Sequence, residues 1–319
     1  MLDIMERKDF IFNTNVEQKI YTSKLSDSLV LDKATNMMID LEKRLNFYDS
    51  SSEISQINKY AGHKFVKVSF ETFELIKQSI KFSQKTDGLF DISVAPLVSA
   101  WKINSKNPNI LKKEEAKKIA SIVNYKDILL DDNNLSIMLK HENQKIDLGA
   151  IAKGYIADKI INLYKENNIT SAVINIGGNV KVLGRKENKS LWKVGIYEPI
   201  KHSQDIIGAL ELENMSVVTS GDYERAFLSE GKVYHHILDP HTGYPADTDL
   251  KSITIVSKES ILGDAFSTPL FMMGKYMACD FMKFNNLSGV MISKDDEIII
   301  TKDLLHKFNL FCDKKVLSY

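Results

Sequence analysis

Cysteine is scarce in this chain. Its 319 residues hold two, Cys279 and Cys312, with no C-x-x-C spacing. That excludes a disulfide framework and offers no thiolate set for zinc. Charge of one sign is also missing. Lysine plus arginine and aspartate plus glutamate number 42 each, so the formal net charge is zero. No basic arm or stripe stands out, and nucleic acid is not an expected partner. No apolar run approaches the ~20 residues that span a bilayer. The first ten residues, MLDIMERKDF, are charged and lack the apolar stretch of a signal peptide. Low-complexity tracts and short-period repeats are absent as well. What remains is 44% hydrophobic and 26% charged, ordinary for a globular chain with room for one large domain or two small ones.

The most informative stretch that is present is Asp147-Leu-Gly-Ala-Ile-Ala-Lys-Gly-Tyr155. The polar/apolar alternation up to Ile146 reads as strand. Ile156, Ile160, Leu163 and Tyr164 then share one helical face. Ala150 to Lys153 therefore sit at a helix N-terminus, where free N–H groups and the positive dipole end attract phosphate. Lys153 adds a mobile positive charge, and glycine lets a ligand approach the backbone. The same residues also read as a plain helix entry with an incidental lysine.

Downstream, Gly263-Asp-Ala-Phe-Ser-Thr-Pro-Leu270 opens another helix. Asp264 and Thr268 are four apart and share a face. A carboxylate and a hydroxyl are hard oxygen ligands, better suited to Mg²⁺ than to zinc. The alternative is that Asp264 caps its own helix and that Ser267 and Thr268 bond back to carbonyls. Pro269 disturbs that turn. Tyr234-His-His-Ile-Leu-Asp-Pro-His-Thr-Gly-Tyr-Pro245 reads as a strand entering a tight turn and holds three of the seven histidines. A histidine here can act as a base or touch phosphate. Zinc is the competing idea, yet His235 and His236 are neighbours that point to opposite faces of a strand. Two further turns, Asn175-Ile-Gly-Gly-Asn179 and Thr219-Ser-Gly-Asp-Tyr-Glu-Arg225, read either as hairpin turns or as ligand loops.

Taken together, these segments resemble the ApbE family of FAD:protein FMN transferases. The family patterns D-x-G-[AG]-I-A-K-G-Y, I-N-x-G-G-[ND], T-S-G-D-Y-E-R, H-I-[IL]-D-P-R-T-G-x-P and A-D-A-L-S-T have counterparts in that order between Asp147 and Thr268. Phe47-Tyr-Asp-Ser-Ser-Ser-Glu-Ile-Ser-Gln-Ile-Asn58 and Asp87-Gly-Leu-Phe-Asp-Ile-Ser-Val-Ala-Pro96, followed by Trp101, match two N-terminal patterns. The resemblance covers about residues 9 to 300, and seven ordered motifs make it specific. His241 stands where the family usually has arginine, Gly263 replaces an alanine, and Phe12-Asn-Thr14 replaces Met-x-Thr.

Strands and helices mix without a strict βαβ rhythm, so α+β architecture with mainly antiparallel sheets is expected, and the resemblance implies two related ApbE-like or T-fold-like lobes with the cofactor between them. One catalytic unit over residues 1–319, with no separate domain, is expected. The resemblance assigns FAD contacts to Tyr48, Leu89, Phe90, Asp91, Asp147, Lys153 and Ile237. It makes the Ala150 carbonyl, Asp264 and Thr268 ligands of Mg²⁺. His236 is the histidine that matches the family position, and it is the candidate base, with Asp264 second. The implied reaction moves FMN from FAD to a threonine or serine hydroxyl of a target flavoprotein and releases AMP. Two rivals stay open: a pyrophosphatase giving FMN and AMP, and a protein that holds FAD without turnover. Only about nine residues precede the first family-like strand, so a cytoplasmic location is expected; the alternative is an exported or lipid-anchored protein whose leader has been removed.

The elements expected from the pattern are a strand over 9–21 and helices over 29–45, 70–86 and 112–122. A hairpin at Asn133-Asn134 follows, then the helical unit at 147–164 and mostly strand to Ser257. Helices at 259–273 and 276–284 and a hairpin at Asp295-Asp296 complete the chain.

Overall fold

The computed structural model describes residues 3–103, 105–200 and 203–319. Met1 and Leu2, which belong to the charged N-terminal stretch read above, lie outside the described residues, as do Asn104, Lys201 and His202.

The chain opens with a hairpin of β1 (Asp3–Ile11) and β2 (Thr14–Thr22). The single strand expected over 9–21 is thus two strands. Their turn, Phe12–Asn13, has positive φ at both residues, and Phe12 gives none of the Asn-Gly or Asp-Gly signal of such turns. Next come α1 (Ser28–Leu45) and α2 (Glu53–Lys59), the latter capped by Ser52, whose hydroxyl accepts from the Ser55 N–H. After β3 (Val66–Lys67), α3 (Phe70–Lys85) starts at a Ser69 cap and buries Phe73 and Ile76. Asp87 and Gly88, both with positive φ, end it as expected. Then follow α4 (Ala95–Trp101), α5 (Lys113–Ala120), and the hairpin of β4 (Ile128–Asp131) and β5 (Ser136–Leu139) around Asn133-Asn134.

The segment leading to Asp147 is extended but is not a strand. It makes one isolated bridge, Lys145 to Val94, and the Asp147 N–H donates to the Ile92 carbonyl. Alternation alone does not create a ladder partner. The helix that follows, α6 (Ala152–Glu166), begins where the sequence places it and buries Ile156, Ile160 and Tyr164. A run of strands comes next: β6 (Ala172–Ile176), β7 (Asn179–Leu183), β8 (Trp192–Tyr197), β9 (Ile206–Leu212), β10 (Ser216–Gly221), β11 (Ala226–Ser229), β12 (Lys232–His235) and β13 (Leu250–Ser257). Gly177 and Gly178, both at positive φ, make the two-residue turn between β6 and β7.

The helix α7 (Ser260–Phe284) replaces the two helices expected at 259–273 and 276–284, but Gly274 breaks it with φ 73° and ψ 174°. The two expected segments are the two halves of a kinked helix. The chain ends with β14 (Ser288–Ser293), β15 (Ile298–Ile300), β16 (Phe308–Leu310) and β17 (Val316–Ser318), with Asp296 at positive φ in the expected hairpin.

The chain divides into two compact units. The first holds the residues up to Glu42, Lys153–Gly221 and Asp249–Tyr319. Its nine-stranded sheet runs β1-β2-β6-β7-β10-β13-β14-β15-β17, antiparallel apart from the β15–β17 pair. A smaller sheet, β16-β9-β8, supplies Trp192, Ile207, Leu210 and Leu212 to a core shared with Val217, Val256 and Ile292 of the large sheet. The start of α7 packs across β10 and β13, and Tyr164 of α6 donates its hydroxyl to Gln18 of β2 at 2.6 Å.

The second unit holds Lys43–Ala152 and Asp222–Thr248. It contains the antiparallel sheet β3-β5-β4 and the β11-β12 hairpin. Its core gathers Leu97, Trp101, Leu111, Ala116 and Leu238. The fold is α+β with mainly antiparallel sheet, as the pattern of elements implies. No helix among the described residues is long and apolar enough to cross a membrane.

Candidate functional site

Two of the motifs singled out above meet in the first unit, at the start of α6. Asp264 reaches this point from α7. Its Oδ2 accepts the Gly154 N–H at 2.5 Å, and its Oδ1 accepts Nδ2 of Asn179 at 3.1 Å. The carboxylate is only 5% exposed. Burial pushes its pKa up, and the charge of Lys153 pulls in the opposite direction, helped by the two hydrogen bonds. The alternative, that Asp264 caps its own helix, is not what the structure shows: it takes up an N–H at the start of α6. Gly154 makes this approach possible, because a Cβ there would lie 2.5 Å from the Ser260 carbonyl oxygen.

The start of α7 is held from outside as well. Its N-cap residue, Glu259, makes no side-chain cap bond. Instead Asp158 of α6 accepts the N–H groups of Ser260 at 2.9 Å and Ile261 at 3.0 Å. Lys181 of β7 pairs with Asp158 and also donates to the Lys258 carbonyl at 2.9 Å. One turn past Asp264, the Thr268 hydroxyl lies 3.1 Å from Ser220 Oγ, which donates to Ser267 Oγ at 2.8 Å. Ser267 and Thr268 thus meet a β10 hydroxyl.

These residues offer hard oxygens. Among the described residues no group of three or more His, Cys, Asp and Glu side chains is arranged to hold a metal. The donor set is instead one buried carboxylate with neighbouring hydroxyls, and that chemistry fits a hard divalent cation such as Mg²⁺. A buried carboxylate whose charge is opposed by desolvation also gains from an added cation.

In the second unit the histidine turn is anchored by Trp101. Its Nε1–H donates to the Gly243 carbonyl at 2.7 Å, and its ring meets Tyr244 edge to face at 5.1 Å. Asp239 closes the turn: its N–H donates to the Tyr244 carbonyl, and its Oδ1 accepts the His241 N–H. His235 ends β12, is buried, and places Nε2 2.9 Å from the Ala246 carbonyl oxygen. His236 lies one residue beyond the strand, is half-buried, and hydrogen-bonds through its backbone N–H to the Arg225 carbonyl. It shares a cavity of about 430 Å³ with Phe47, Tyr48, Trp101, Lys102 and Leu238. Tyr48 is 83% exposed and meets Phe47 edge to face.

The other residues singled out in this unit are less open. Asp91 is buried, with Oδ1 accepting from the Ser93 N–H and hydroxyl and Oδ2 from the Tyr125 N–H. Burial pushes its pKa up. Phe90 is buried edge to face against Phe82, Ile237 is buried, and Leu89 is half-buried. Asp147 is half-buried and accepts the Gly149 N–H at 2.9 Å, with burial pushing its pKa up. Ala150 is exposed in the turn before α6. A larger cavity, about 970 Å³, lies between the second half of α7 and the end of the chain, near Cys279 and Tyr319, and holds none of these residues.

Sequence reasoning did not single out Asp158, Lys181 and Ser260 at all. Each carries chemistry through a partner distant in sequence, so no local spacing marks it. Asn179 was inside a noted turn but had no role.

The sequence model of the ApbE family matches residues 12–291. A protein of Klebsiella pneumoniae named FAD:protein FMN transferase is 32% identical over 284 residues, spanning 89% of this chain and 88% of that protein. A Treponema pallidum protein of the same name is 27% identical over 328 residues, spanning 98% and 91%. The crystal structure of the ApbE protein from Thermotoga maritima superposes with a TM-score of 0.88 at 32% identity, covering 96% of this chain and 99% of that one. The Vibrio cholerae flavin transferase ApbE shares the fold, with a TM-score of 0.83 at 22% identity.

Proposed function

The chain belongs to the ApbE family, and from that premise we propose that it transfers FMN from FAD to a threonine or serine hydroxyl of a target flavoprotein, releasing AMP. The observation that carries this reading is the meeting of Lys153, the Gly154 N–H and the buried Asp264 carboxylate at the start of α6. A helix start with an added lysine suits a pyrophosphate.

The family resemblance makes Asp264, Thr268 and the Ala150 carbonyl the groups that would hold Mg²⁺, and within the first unit the buried Asp264 carboxylate and the Thr268 hydroxyl have the chemistry for it. When bound, the cation supplies positive charge against the phosphate oxygens. Lys153 adds a second positive charge where negative charge builds up during transfer. Asp147 contributes to FAD binding. Tyr48 flanks the flavin beside the cavity that His236 lines, and Leu89, Phe90, Asp91 and Ile237 contribute FAD contacts.

The bonds balance simply. The acceptor oxygen forms a bond to the phosphorus of the FMN half. The bond from that phosphorus to the bridging oxygen breaks, and AMP leaves with the oxygen. The proton of the acceptor hydroxyl passes to the imidazole of His236. FMN stays on the target as a phosphoester.

Incubation with FAD, Mg²⁺ and a candidate flavoprotein tests this. Covalent flavin fluorescence on the target is the expected result. Free FMN and AMP with no labelled target would make the protein a pyrophosphatase. Unchanged FAD in the presence of Mg²⁺ would overturn the catalytic reading.

A further inference from the structure

Behind Asp264 runs a line of buried polar side chains that the transfer reaction does not use directly. Ser216, Asn179 and Ser260 are all buried, with 0%, 1% and 0% exposure. The Ser216 hydroxyl donates to Ser260 Oγ at 2.7 Å. Ser260 Oγ donates to Asn179 Oδ1 at 2.6 Å. Asn179 Nδ2 donates to Asp264 Oδ1 at 3.1 Å.

The direction of this line is fixed by chemistry. An ionised carboxylate only accepts, so Asn179 must turn its NH₂ toward Asp264. Its carbonyl oxygen then faces Ser260 and needs a donor there. A flipped amide would set oxygen against oxygen at Asp264. Ser260 is itself fixed by its backbone N–H to Asp158.

We infer that Asn179, oriented by Ser260, is a positioning residue that sets the rotamer of the Asp264 carboxylate and so its grip on a hard divalent cation. This rests on the reading of Asp264 as a cation ligand. The Gly154 N–H holds Oδ2 and Asn179 holds Oδ1. Pinned at both ends, the carboxylate keeps one further lone pair on each oxygen for a metal. Without Asn179, Oδ1 loses its fixed partner and the group can turn about its χ2 bond, which is soft for aspartate. Partners one step behind a ligand commonly govern affinity in this way.

The competing account gives Asn179 a purely structural role, filling a buried polar site. The two accounts separate on a readout that does not need turnover. Mn²⁺, a hard ion with a spin signal, is titrated into the purified full chain, and the free ion is followed by electron paramagnetic resonance. Asn179→Ala should weaken Mn²⁺ binding about 10–100-fold. Ser260→Ala should weaken it by a smaller factor, although Ser260 does not touch Asp264. The double variant should bind no worse than Asn179→Ala alone, because Ser260 acts only through Asn179. The Mg²⁺ concentration that half-saturates turnover should rise in parallel.

Wild-type Mn²⁺ affinity in Asn179→Ala, whatever its melting temperature, would overturn the inference. Additive losses in the double variant would overturn the relay through Ser260. If Asn179→Ala fails to fold, Ser260→Ala decides alone: unchanged Mn²⁺ affinity there rejects the inference. A wild-type chain that binds Mn²⁺ and loses it in Asp264→Ala keeps the cation reading even if the relay fails. A wild type that binds none defeats both.

Discussion

Asp158 and Asp264 exchange helix caps. Asp158 leaves α6 to accept two N–H groups at the start of α7, and Asp264 leaves α7 to accept one at the start of α6. Each helix start is therefore completed by the carboxylate of the other. Unmet N–H groups at a helix start are a standing demand on any fold, and here that demand fixes the two helices relative to one another.

The stability consequence falls first on Asp158. Asp158→Ala removes two cap bonds and leaves the Lys181 ammonium, with a side chain 9% exposed, without its carboxylate. Breaking a buried pair from one side costs roughly 3–5 kcal/mol. Asp158→Asn also removes the charge that Lys181 faces but keeps one acceptor oxygen for the caps, so it should recover about 1 kcal/mol of that loss. Urea unfolding followed by circular dichroism measures both. A loss under about 0.5 kcal/mol in the alanine variant would show that the exchanged caps contribute little.

Asp264→Ala should abolish turnover and retain some FAD binding. Asp264 carries the one full negative charge among the proposed cation ligands, so Thr268→Ala should be milder. Steady-state rates over a range of Mg²⁺ concentrations, with calorimetric FAD titration alongside, separate the two effects. Normal turnover by Asp264→Ala at limiting Mg²⁺ would remove Asp264 from the cation site.

The two adjacent histidines should part company. His236→Asn should keep FAD affinity and lower the saturated rate by ~10²–10⁴. His235→Asn should leave the saturated rate within a few-fold of wild type. It should still lose stability, on the order of 1 kcal/mol, because His235 is buried and bonded to the Ala246 carbonyl. A saturated rate for His236→Asn close to wild type would pass the base role to Asp264.

Asp91 should give a pH signature of its own. Burial raises its pKa in the folded chain, outweighing the bonds from Ser93 and Tyr125. A carboxyl raised on folding contributes stability that is fully present below its unfolded value, ~3.9, and is lost as pH rises through the folded value. Asp91→Asn cannot titrate. The stability of wild type relative to Asp91→Asn should thus be more favourable at acid pH than at neutral pH. Urea midpoints at two pH values test the sign, and a difference that grows toward neutral pH contradicts it.

Much of the architecture was legible because periodic burial writes itself into sequence. The helices α1 and α3, the hairpin at Asn133-Asn134 and the start of α6 fall where spacing and caps put them. Phe12–Asn13 escaped because a turn without glycine carries no local mark. The stretch before Asp147 misled because alternation signals two faces, not a neighbouring strand. At the site, Lys153, Asp264 and Thr268 were visible as residue types at helix starts. Asp158, Lys181 and Ser260 were not, since their importance lies in partners up to 103 positions away.

Gly263 sits directly before the carboxylate of Asp264, and a Cβ built on it would lie 2.5 Å from Val218 Cγ2. The family usually carries alanine at this place. Alanine at 263 would fit only alongside a smaller or shifted residue at 218. The start of α7 can therefore lie this close to β10 only while residue 263 has no side chain.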